Sequence, residues 1–252
     1  FENIFGGKHY IKLLGGYNYE QQDYRATKSE RNGLLMPDVE DINFAMGETM
    51  SITSDASRWR YAGAFFRLNY SYDNRYLFEV NGRYDGSSKF PNNSQWGFFP
   101  SASAAWRLSE ERFWKVDPKF LSNVKLRMSY GALGNSNVNP YSYLEKFSLS
   151  TFSTTGTSTD GRYLDGSAKL RYTKNPSQIP DNIGWETSKT VDVGIDLGFL
   201  HNKITLSADY YVRKTIDMYT VGPTLPDTFG ASSPKGNYAD MSTYGYEISL
   251  GY

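Results

Sequence analysis

Apolar and polar residues alternate with a period of two over long stretches of this chain, and no other feature constrains its fold as strongly. Phe78 and Val80 flank Glu79, for example, and the alternation continues through Asn81 to Tyr84. Successive side chains of a β-strand point to opposite faces, whereas helical periodicity is close to 3.6. The pattern therefore predicts an all-β protein whose strands have one apolar face and one polar face.

The alternation predicts about eight long strands, with turn residues between them. Their approximate bounds are 9–19, 58–72, 75–86, 96–108, 123–133, 187–200, 203–216 and 243–252. Between the fourth and fifth strands, the run Ser109–Trp114 is the best helical candidate, because Ser109 is a suitable N-cap followed by two acidic residues. Long connections alternate with short ones. This places three long loops, 20–57, 134–186 and 217–242, on one rim of the sheet.

Alternation by itself does not separate a membrane barrel from a soluble sandwich, whose core face is also free of charge. Three further features favour an antiparallel transmembrane β-barrel. The strands reach about ten residues, the length that crosses a bilayer at a tilt. Short turns on one rim and long loops on the other are typical of outer-membrane barrels. Aromatic residues such as Tyr72, Tyr76 and Trp106 gather near strand ends, as in an interfacial girdle.

The composition narrows the function classes. The 252 residues carry 27 Lys and Arg against 27 Asp and Glu, and this balance argues against a nucleic-acid partner. Cysteine is absent, which excludes disulfides, thiolate metal sites and cysteine nucleophiles. The 21 Tyr and 23 Gly suggest aromatic side chains at a boundary between lipid and water. No apolar run approaches the roughly 18 residues of a transmembrane helix.

Residues that carry catalytic or metal chemistry are sparse. His9 and His201 lie far apart in the strand scheme, so a catalytic triad or shared metal site is not expected, and no phosphate-binding loop is present. We predict no enzymatic activity, no metal and no cofactor. Asp160 and Asp165, each followed by Gly, could offer oxygen ligands to Ca²⁺. Their spacing is not that of an EF-hand, and turn formation is the favoured interpretation.

Charged residues on the polar face of the predicted strands are the candidates for the interior of the barrel. The candidates are Arg67, Glu79, Arg83, Arg127, Asp192, Asp196 and Asp209. A narrow eight-stranded interior would have to pair every one of these charges. The polar face therefore favours an arc of a wider, water-filled or plugged barrel. Phe65, Phe99 and Tyr211 share that face, where they are candidates to contact a substrate or an internal plug domain.

Several segments resemble one known family. They are Arg83–Phe90 (RYDGSSKF), 96–113 (WGFFPSASAAWRLSEERF), 124–135 (VKLRMSYGALGN), Trp185–Thr187, 192–196 (DVGID) and 209–211 (DYY). They are similar to blocks of the SusC/RagA family of TonB-dependent outer-membrane transporters of Bacteroidetes. The resemblance runs from about Arg58 to Tyr252.

The resemblance implies a larger protein than this chain. Family members have a barrel of about 22 strands closed by an N-terminal plug, and they import glycans or peptides with energy from TonB. A SusD-like lipoprotein covers their extracellular mouth. We therefore expect residues 1–252 to be part of one barrel domain in the outer membrane. We expect an interior piece that lacks the plug, the TonB box and the last strands, and that reaches the TonB complex through the missing part.

Two other interpretations remain open from the sequence. A small, self-contained outer-membrane barrel or passive porin would not need a plug. A soluble carbohydrate-binding β-sandwich would show the same alternation of apolar and polar residues. The choice between a glycan and a peptide substrate does not follow from these residues.

Overall fold

The computed structural model describes residues 1–36, 38–48, 50–151, 171–174, 176–180, 182–230 and 232–252. Eleven β-strands account for most of this part of the chain. They are β1 (Glu2–Phe5), β2 (His9–Arg31), β3 (Met50–Tyr72), β4 (Tyr76–Ser87), β5 (Trp96–Arg107), β6 (Leu121–Asn135), β7 (Leu149–Thr151), β8 (Arg171–Thr173), β9 (Glu186–Phe199), β10 (Ile204–Val221) and β11 (Lys235–Gly251). No helix in the described ranges has the length and apolar character needed to cross a membrane.

Nine of these strands form one antiparallel meander in the order β1-β2-β3-β4-β5-β6-β9-β10-β11, and β7 pairs with β8 in a separate hairpin. All eight predicted strands are present, and each pairs with its predicted neighbour along the chain. Strand β1 was not predicted. It pairs with β2 over four residues across a turn whose two glycines, Gly6 and Gly7, have φ of 56° and 69°. Within the described residues, the two outermost strands do not pair with each other, so the sheet is open.

The predicted loop 20–57 is wrong over much of its length. Strand β2 continues to Arg31 and β3 begins at Met50, with unbroken pairing from His9↔Tyr72 to Arg31↔Met50. Strand β4 accompanies β3 only as far as Tyr61↔Ser87. The alternation of apolar and polar side chains stops near Tyr19, but backbone pairing does not depend on it. We call the projecting ribbon of residues 20–31 and 50–60 the arm.

The other predicted connections also change. The loop at 217–242 shortens to 222–234, because β10 and β11 both extend past the end of the alternation. Segment 134–186 contains the β7–β8 hairpin, and residues 152–170 within it lie outside the described part. The predicted helix at Ser109–Trp114 is reduced to a 3₁₀ turn at Leu108–Glu110. The Glu111 side chain is instead bonded to Tyr76, Trp106 and Arg75, which holds this segment against the sheet.

The two faces of the sheet differ as the alternation predicts. On one face, Phe78 lies opposite Tyr70 and Ala104, and its side chain is half-exposed. We call this the apolar face. The other face carries the ion pairs of β4, β6, β9 and β10, and we call it the polar face. A tight turn of three residues, Asp73 to Arg75, joins β3 to β4. Its first two residues have φ of 50° and 56°, the conformation that matches the twist of a hairpin.

Candidate functional site

The seven charged candidates all lie on the polar face, where strand register collects them into three clusters. Phe65 is opposite Arg83, and Arg67 is opposite Asn81. Arg127 is opposite Gly194 on β9, which is in turn opposite Asp209 on β10. Paired residues of neighbouring strands point to the same side of the sheet. Register therefore places these residues on one face of the sheet.

The first cluster surrounds Arg83. Its Nε and Nη2 donate to the two carboxylate oxygens of Asp85 at 3.0 and 2.9 Å, and Nη2 also donates to Asn18 Oδ1 at 3.3 Å. The guanidinium lies over the ring of Phe65 at 5.4 Å. Asp85 is buried, and a Cβ atom at the facing Gly63 would lie 2.1 Å from its Oδ1. The glycine makes room for a buried carboxylate that a bidentate arginine neutralises.

The second cluster joins Arg67, Glu79 and two asparagines. Arg67 Nε donates to Asn81 Oδ1 at 2.7 Å and lies 3.8 Å from Glu79 Oε1. Asn81 Nδ2 donates to Glu79 Oε1 at 2.7 Å, and Asn69 donates to the other carboxylate oxygen. The carboxylate therefore accepts hydrogen bonds from amides on two strands, which holds β3 and β4 together on this face.

Arg127 is the centre of the third cluster and contacts three aspartates. Its Nη2 donates to Asp209 Oδ2 at 2.5 Å and its Nε to Asp196 Oδ1 at 3.1 Å, and Nη1 lies 3.6 Å from Asp192. Lys125 adds a second cation, 3.4 Å from Asp196. Three carboxylates against two cations leave this wall with a net negative charge. Gly194 leaves room for this cluster, since a Cβ atom there would lie 2.8 Å from Cζ of Arg127 and displace the guanidinium.

The three aromatic candidates have different surroundings. Phe65 lies under Arg83, and the Tyr211 ring lies 5.9 Å from the guanidinium of Arg213. Phe99 is only 7% exposed, because Trp185 packs on it with ring centroids 5.2 Å apart. The prediction that Phe99 contacts a substrate or plug is therefore corrected: this chain covers the ring itself. Phe65 and Tyr211 keep part of their surface accessible.

A groove of about 870 Å³ opens on the polar face beside the short-turn rim. Lys12, Arg67, Glu79 and Lys125 are among its lining residues, together with smaller side chains such as Ser103. The groove thus joins the second cluster to the edge of the third. Charged and apolar side chains both line the groove.

Side chains from several loops form a small hydrophobic core at the long-loop rim, which the sequence reasoning missed. Phe90, Val138 and Ile183 are buried there, with Tyr143, Trp185 and Tyr219 packed against them. We call these six residues the rim core. Trp185 Nε1 donates to Gln95 O at 3.0 Å. Phe90 and Trp185 lie in conspicuous sequence blocks, but no periodicity connects them to Val138 or Ile183.

The arm differs from the rim core in having no buried side chains. Asp23 pairs with Arg58, and Arg60 Nε donates to Gln21 Oε1 at 3.2 Å. The Gln21 amide and the Arg58 guanidinium lower the pKa of Asp23. The face of the arm that continues the apolar face carries Arg25, Arg31, Arg58 and Arg60 with one acid, Asp23. The opposite face carries Glu20, Glu30 and Asp55 with one base, Lys28.

At the short-turn rim, Glu111 holds the connection between β5 and β6 against the sheet. Its Oε1 accepts from the Tyr76 hydroxyl at 2.6 Å and from Trp106 Nε1 at 3.0 Å, and Arg75 donates to Oε2 at 3.1 Å. These hydrogen bonds, with that of Tyr76 the strongest influence, lower the pKa of Glu111. Tyr72, Tyr76 and Trp106 stack in a row with centroid separations of 6.4 and 6.3 Å.

The structure offers little support for a metal or catalytic centre. Among the described residues, no three His, Asp or Glu side chains are placed to hold a metal ion. Asp160 and Asp165, the candidates for Ca²⁺ ligands, lie outside the described part. The His9 ring packs on the Tyr72 ring with centroids 4.9 Å apart, and its Nδ1 lies 3.0 Å from the Tyr70 hydroxyl. His201 lies in the turn between β9 and β10, at a distant part of the sheet.

Comparison with known proteins gives consistent results. The profile of the family described as TonB dependent receptor-like, beta-barrel, matches residues 2–252. The chain is 35% identical over 245 residues to TonB-dependent receptor P3 of Formosa agariphila, covering 97% of this chain and 23% of that protein. It is 35% identical over 250 residues to TonB-dependent receptor SusC of Bacteroides thetaiotaomicron, covering 96% of this chain and 24% of that protein.

The fold is similar to that of solved structures. The RagAB peptide transporter superposes with a TM-score of 0.82 at 22% identity, over 99% of this chain and 26% of that chain. The RagAB peptide importer in its open-open state gives a TM-score of 0.81. The chain therefore spans about a quarter of the length of the relatives that it matches.

Proposed function

This chain belongs to the TonB dependent receptor-like β-barrel family, and from that premise we propose that it forms part of the wall of an outer-membrane importer. The family is one of outer-membrane receptors, in agreement with the prediction that the chain is not an enzyme. We propose that the whole protein takes up an oligosaccharide or a peptide, using energy from TonB. A SusD-like lipoprotein would cover its mouth and deliver the substrate.

The separation of the two faces is the observation that supports this function most directly. The apolar face leaves side chains such as Val80 and Met128 uncovered, as a lipid-facing wall requires. The opposite face pairs its charges in three clusters, with an adjoining open groove. We assign the apolar face to lipid and the polar face to the interior, where Arg67, Glu79, Arg83, Arg127 and the three aspartates line the lumen.

The contrast between rims supports an orientation. The arm, the rim core and the β7–β8 hairpin all extend from the same rim, while the opposite rim has the tight turns at Asp73 and His201. Outer-membrane barrels keep short turns in the periplasm and long loops outside. We therefore place the arm and the rim core outside the cell, where a surface lipoprotein can reach them.

The arm offers a direct test of partner binding and uptake in the full-length protein. Replacing residues 22–59 by Asn-Gly joins Gln21 to Arg60, which already face each other, through a turn that suits a hairpin. We expect the shortened barrel to reach the outer membrane in normal amount. We also expect it to lose most of the lipoprotein that co-purifies with the intact protein, and most substrate uptake.

Two additional variants make the result decisive. Asp55→Lys changes an exposed charge of the arm without touching the barrel, and Lys203→Gln changes a charge at the opposite rim. The first should weaken co-purification and the second should not. Full retention of lipoprotein and uptake by the shortened barrel would refute the assigned role of the arm. Labelling of a cysteine at Glu40 on intact cells, with Asn202→Cys labelled only after permeabilisation, checks the orientation.

A passive porin is the alternative that the open sheet does not support. The outermost strands, β1 and β11, each pair with a single neighbour among the described residues, and the match to RagAB covers 99% of this chain. A set of strands with two open edges cannot span a bilayer alone, since lipid cannot satisfy the unpaired backbone groups. Further strands of the parent barrel are expected to complete the wall.

A further inference from the structure

Two lysines stand directly opposite each other on neighbouring strands, without a carboxylate partner. Lys189 of β9 and Lys214 of β10 form one register pair. Both are exposed, and no ion pair or hydrogen bond of either ammonium group occurs within the described ranges. Like charges directly opposite each other destabilise a sheet. Among the described residues nothing supplies an anion to this pair, which leaves both ammonium groups open to an external one.

The strands on either side of the pair, β6 and β11, do not compensate the two charges. Ala132 lies opposite Lys189 on its other side, and Ser242 lies opposite Lys214. The closest acidic residue along β11 on this face is Asp240, and its Oδ1 already accepts from the backbone N–H of Asp217 at 3.0 Å. Within the described ranges, neither flanking strand forms an ion pair with either ammonium group.

The position of the pair relative to the apolar face indicates the type of anion. Lys189 and Lys214 lie on the apolar face, and the next residues toward the membrane centre on that face are Val191 and Val212. Two residues of a strand span about 7 Å, similar to the depth of a headgroup layer on one side of a bilayer. On β3, Arg60 follows Ala62 on the same face in the same way, and its Nε is bonded to the neutral Gln21.

We propose that Lys189 and Lys214 bind the phosphate of an anionic lipid headgroup in the leaflet on the long-loop side, with Arg60 acting similarly on β3. The assignment rests on the proposed function for the lipid-facing side of the wall. Long lysine stems lie along apolar surface while their ammonium groups reach the polar layer. A phosphate between the two ammonium groups converts a repulsive pair into a charge-assisted site.

Lipid is the occupant that the surroundings favour over a protein or a free ion. The apolar face continues without a break from Val191 and Val212 through Val193 and Tyr210, all of them substantially uncovered. A bound headgroup would therefore have room for its acyl chains directly below it. A free phosphate would gain nothing from that apolar surface.

The test measures lipid binding by the full-length protein in neutral detergent micelles. Bisphosphorylated lipid A is the probe, and dephosphorylated lipid A and inorganic phosphate are compared with it. Each basic residue near a lipid surface contributes about 1 kcal/mol, or roughly fivefold in affinity. The double variant Lys189→Gln, Lys214→Gln should therefore bind the probe about 25-fold more weakly. Lys203→Gln, a loss of one positive charge at the opposite rim, should bind it normally.

A second variant separates lost lipid binding from lost stability of the barrel. Lys214→Glu replaces the repulsive pair by an attractive one, which should raise the Tm without lipid and abolish the rise that lipid A produces in the unaltered protein. Equal probe affinity of the double variant and the unaltered protein would overturn the proposal. Equal shifts with dephosphorylated lipid A or inorganic phosphate would overturn it as well.

The outcome can be separated from that of the proposed function. Lipid affinity in detergent does not depend on uptake, on a lipoprotein partner or on TonB. If the double variant keeps its affinity for the probe while the unaltered protein transports substrate, only this inference is contradicted. A protein that binds the probe through these lysines but takes up no substrate contradicts the proposed function alone.

Discussion

The arm and the rim core leave the same rim of the sheet, yet they are held together by different forces. The arm continues the β2–β3 ladder for about ten further residue pairs, with exposed, charged side chains on both faces. The rim core draws residues from four separate segments around Phe90, which is fully buried. The arm depends on local backbone pairing, whereas the rim core depends on contacts between distant parts of the chain.

This difference shows how a strand can continue beyond the point where its alternation of apolar and polar side chains ends. Within the membrane, backbone groups must be paired because lipid offers no hydrogen bonds. Beyond it, water could replace the pairing, and the arm stays paired because its register is already set by the strands below. The rim core instead excludes water from apolar side chains, so it should be the more sensitive of the two regions to single substitutions.

The largest expected effect is that of truncation in the rim core. Phe90→Ala should lower the free energy of unfolding of the full-length barrel by about 3–5 kcal/mol, because it removes a buried aromatic ring and leaves a cavity. Tyr24→Ala, the matched truncation on the arm, should change it by less than about 0.5 kcal/mol, because the ring is exposed. Urea titration in detergent measures both. Similar losses in the two variants would remove the distinction between the regions.

A smaller effect separates the arm from the membrane-spanning part of the sheet. Val80→Arg should destabilise the barrel by about 2–4 kcal/mol, because it places a charge on the lipid face. Thr27→Arg introduces the same side chain on the corresponding face of the arm, where water solvates it, and should be tolerated. Asn81→Arg, on the polar face, should also cost little. The amount of folded barrel in the outer membrane distinguishes these cases, and equal yields of all three variants would contradict the assignment of the faces.

The smallest effect tests whether the short-turn rim relies on electrostatics more than the rim core does. The pKa of Glu111 is lowered in the folded protein, so its contribution to stability is present above the pKa of the unfolded chain, about 4.3. That contribution is lost as the pH falls through the folded pKa. Glu111→Gln should therefore flatten the stability profile below about pH 4.3, and Phe90→Ala should leave the slope unchanged. An unchanged slope in Glu111→Gln would show that the carboxylate contributes nothing.

Much of the fold could be predicted because two-residue alternation is a local signal. Arg127 and Asp209 are far apart in the sequence, yet each one's position on its strand already placed it on the polar face. The existence of the ion pairs could not be predicted in the same way. Which aspartate faces Arg127 depends on strand order and register, which are set by pairing across the sheet.

The predictions that were wrong have a common cause. The arm was interpreted as a loop because its side chains lose the apolar alternation, although its backbone keeps the ladder. Phe99 is a candidate to contact a substrate or plug because its parity puts it on the polar face, but Trp185 from the segment before β9 covers it. The polarity of a side chain indicates whether water or lipid surrounds it. It does not indicate whether its backbone is paired or whether a distant loop covers it.

The sequence by itself determined the all-β architecture, the eight long strands and the division of their side chains between two faces, because a strand alternates its side chains whatever its neighbours are. Tertiary structure alone decided that Lys189 meets Lys214, that Phe90 packs with Val138 and Ile183, and that β2 and β3 stay paired to Arg31 and Met50. These contacts join residues far apart in the chain. They arise from register and packing, which no local pattern encodes.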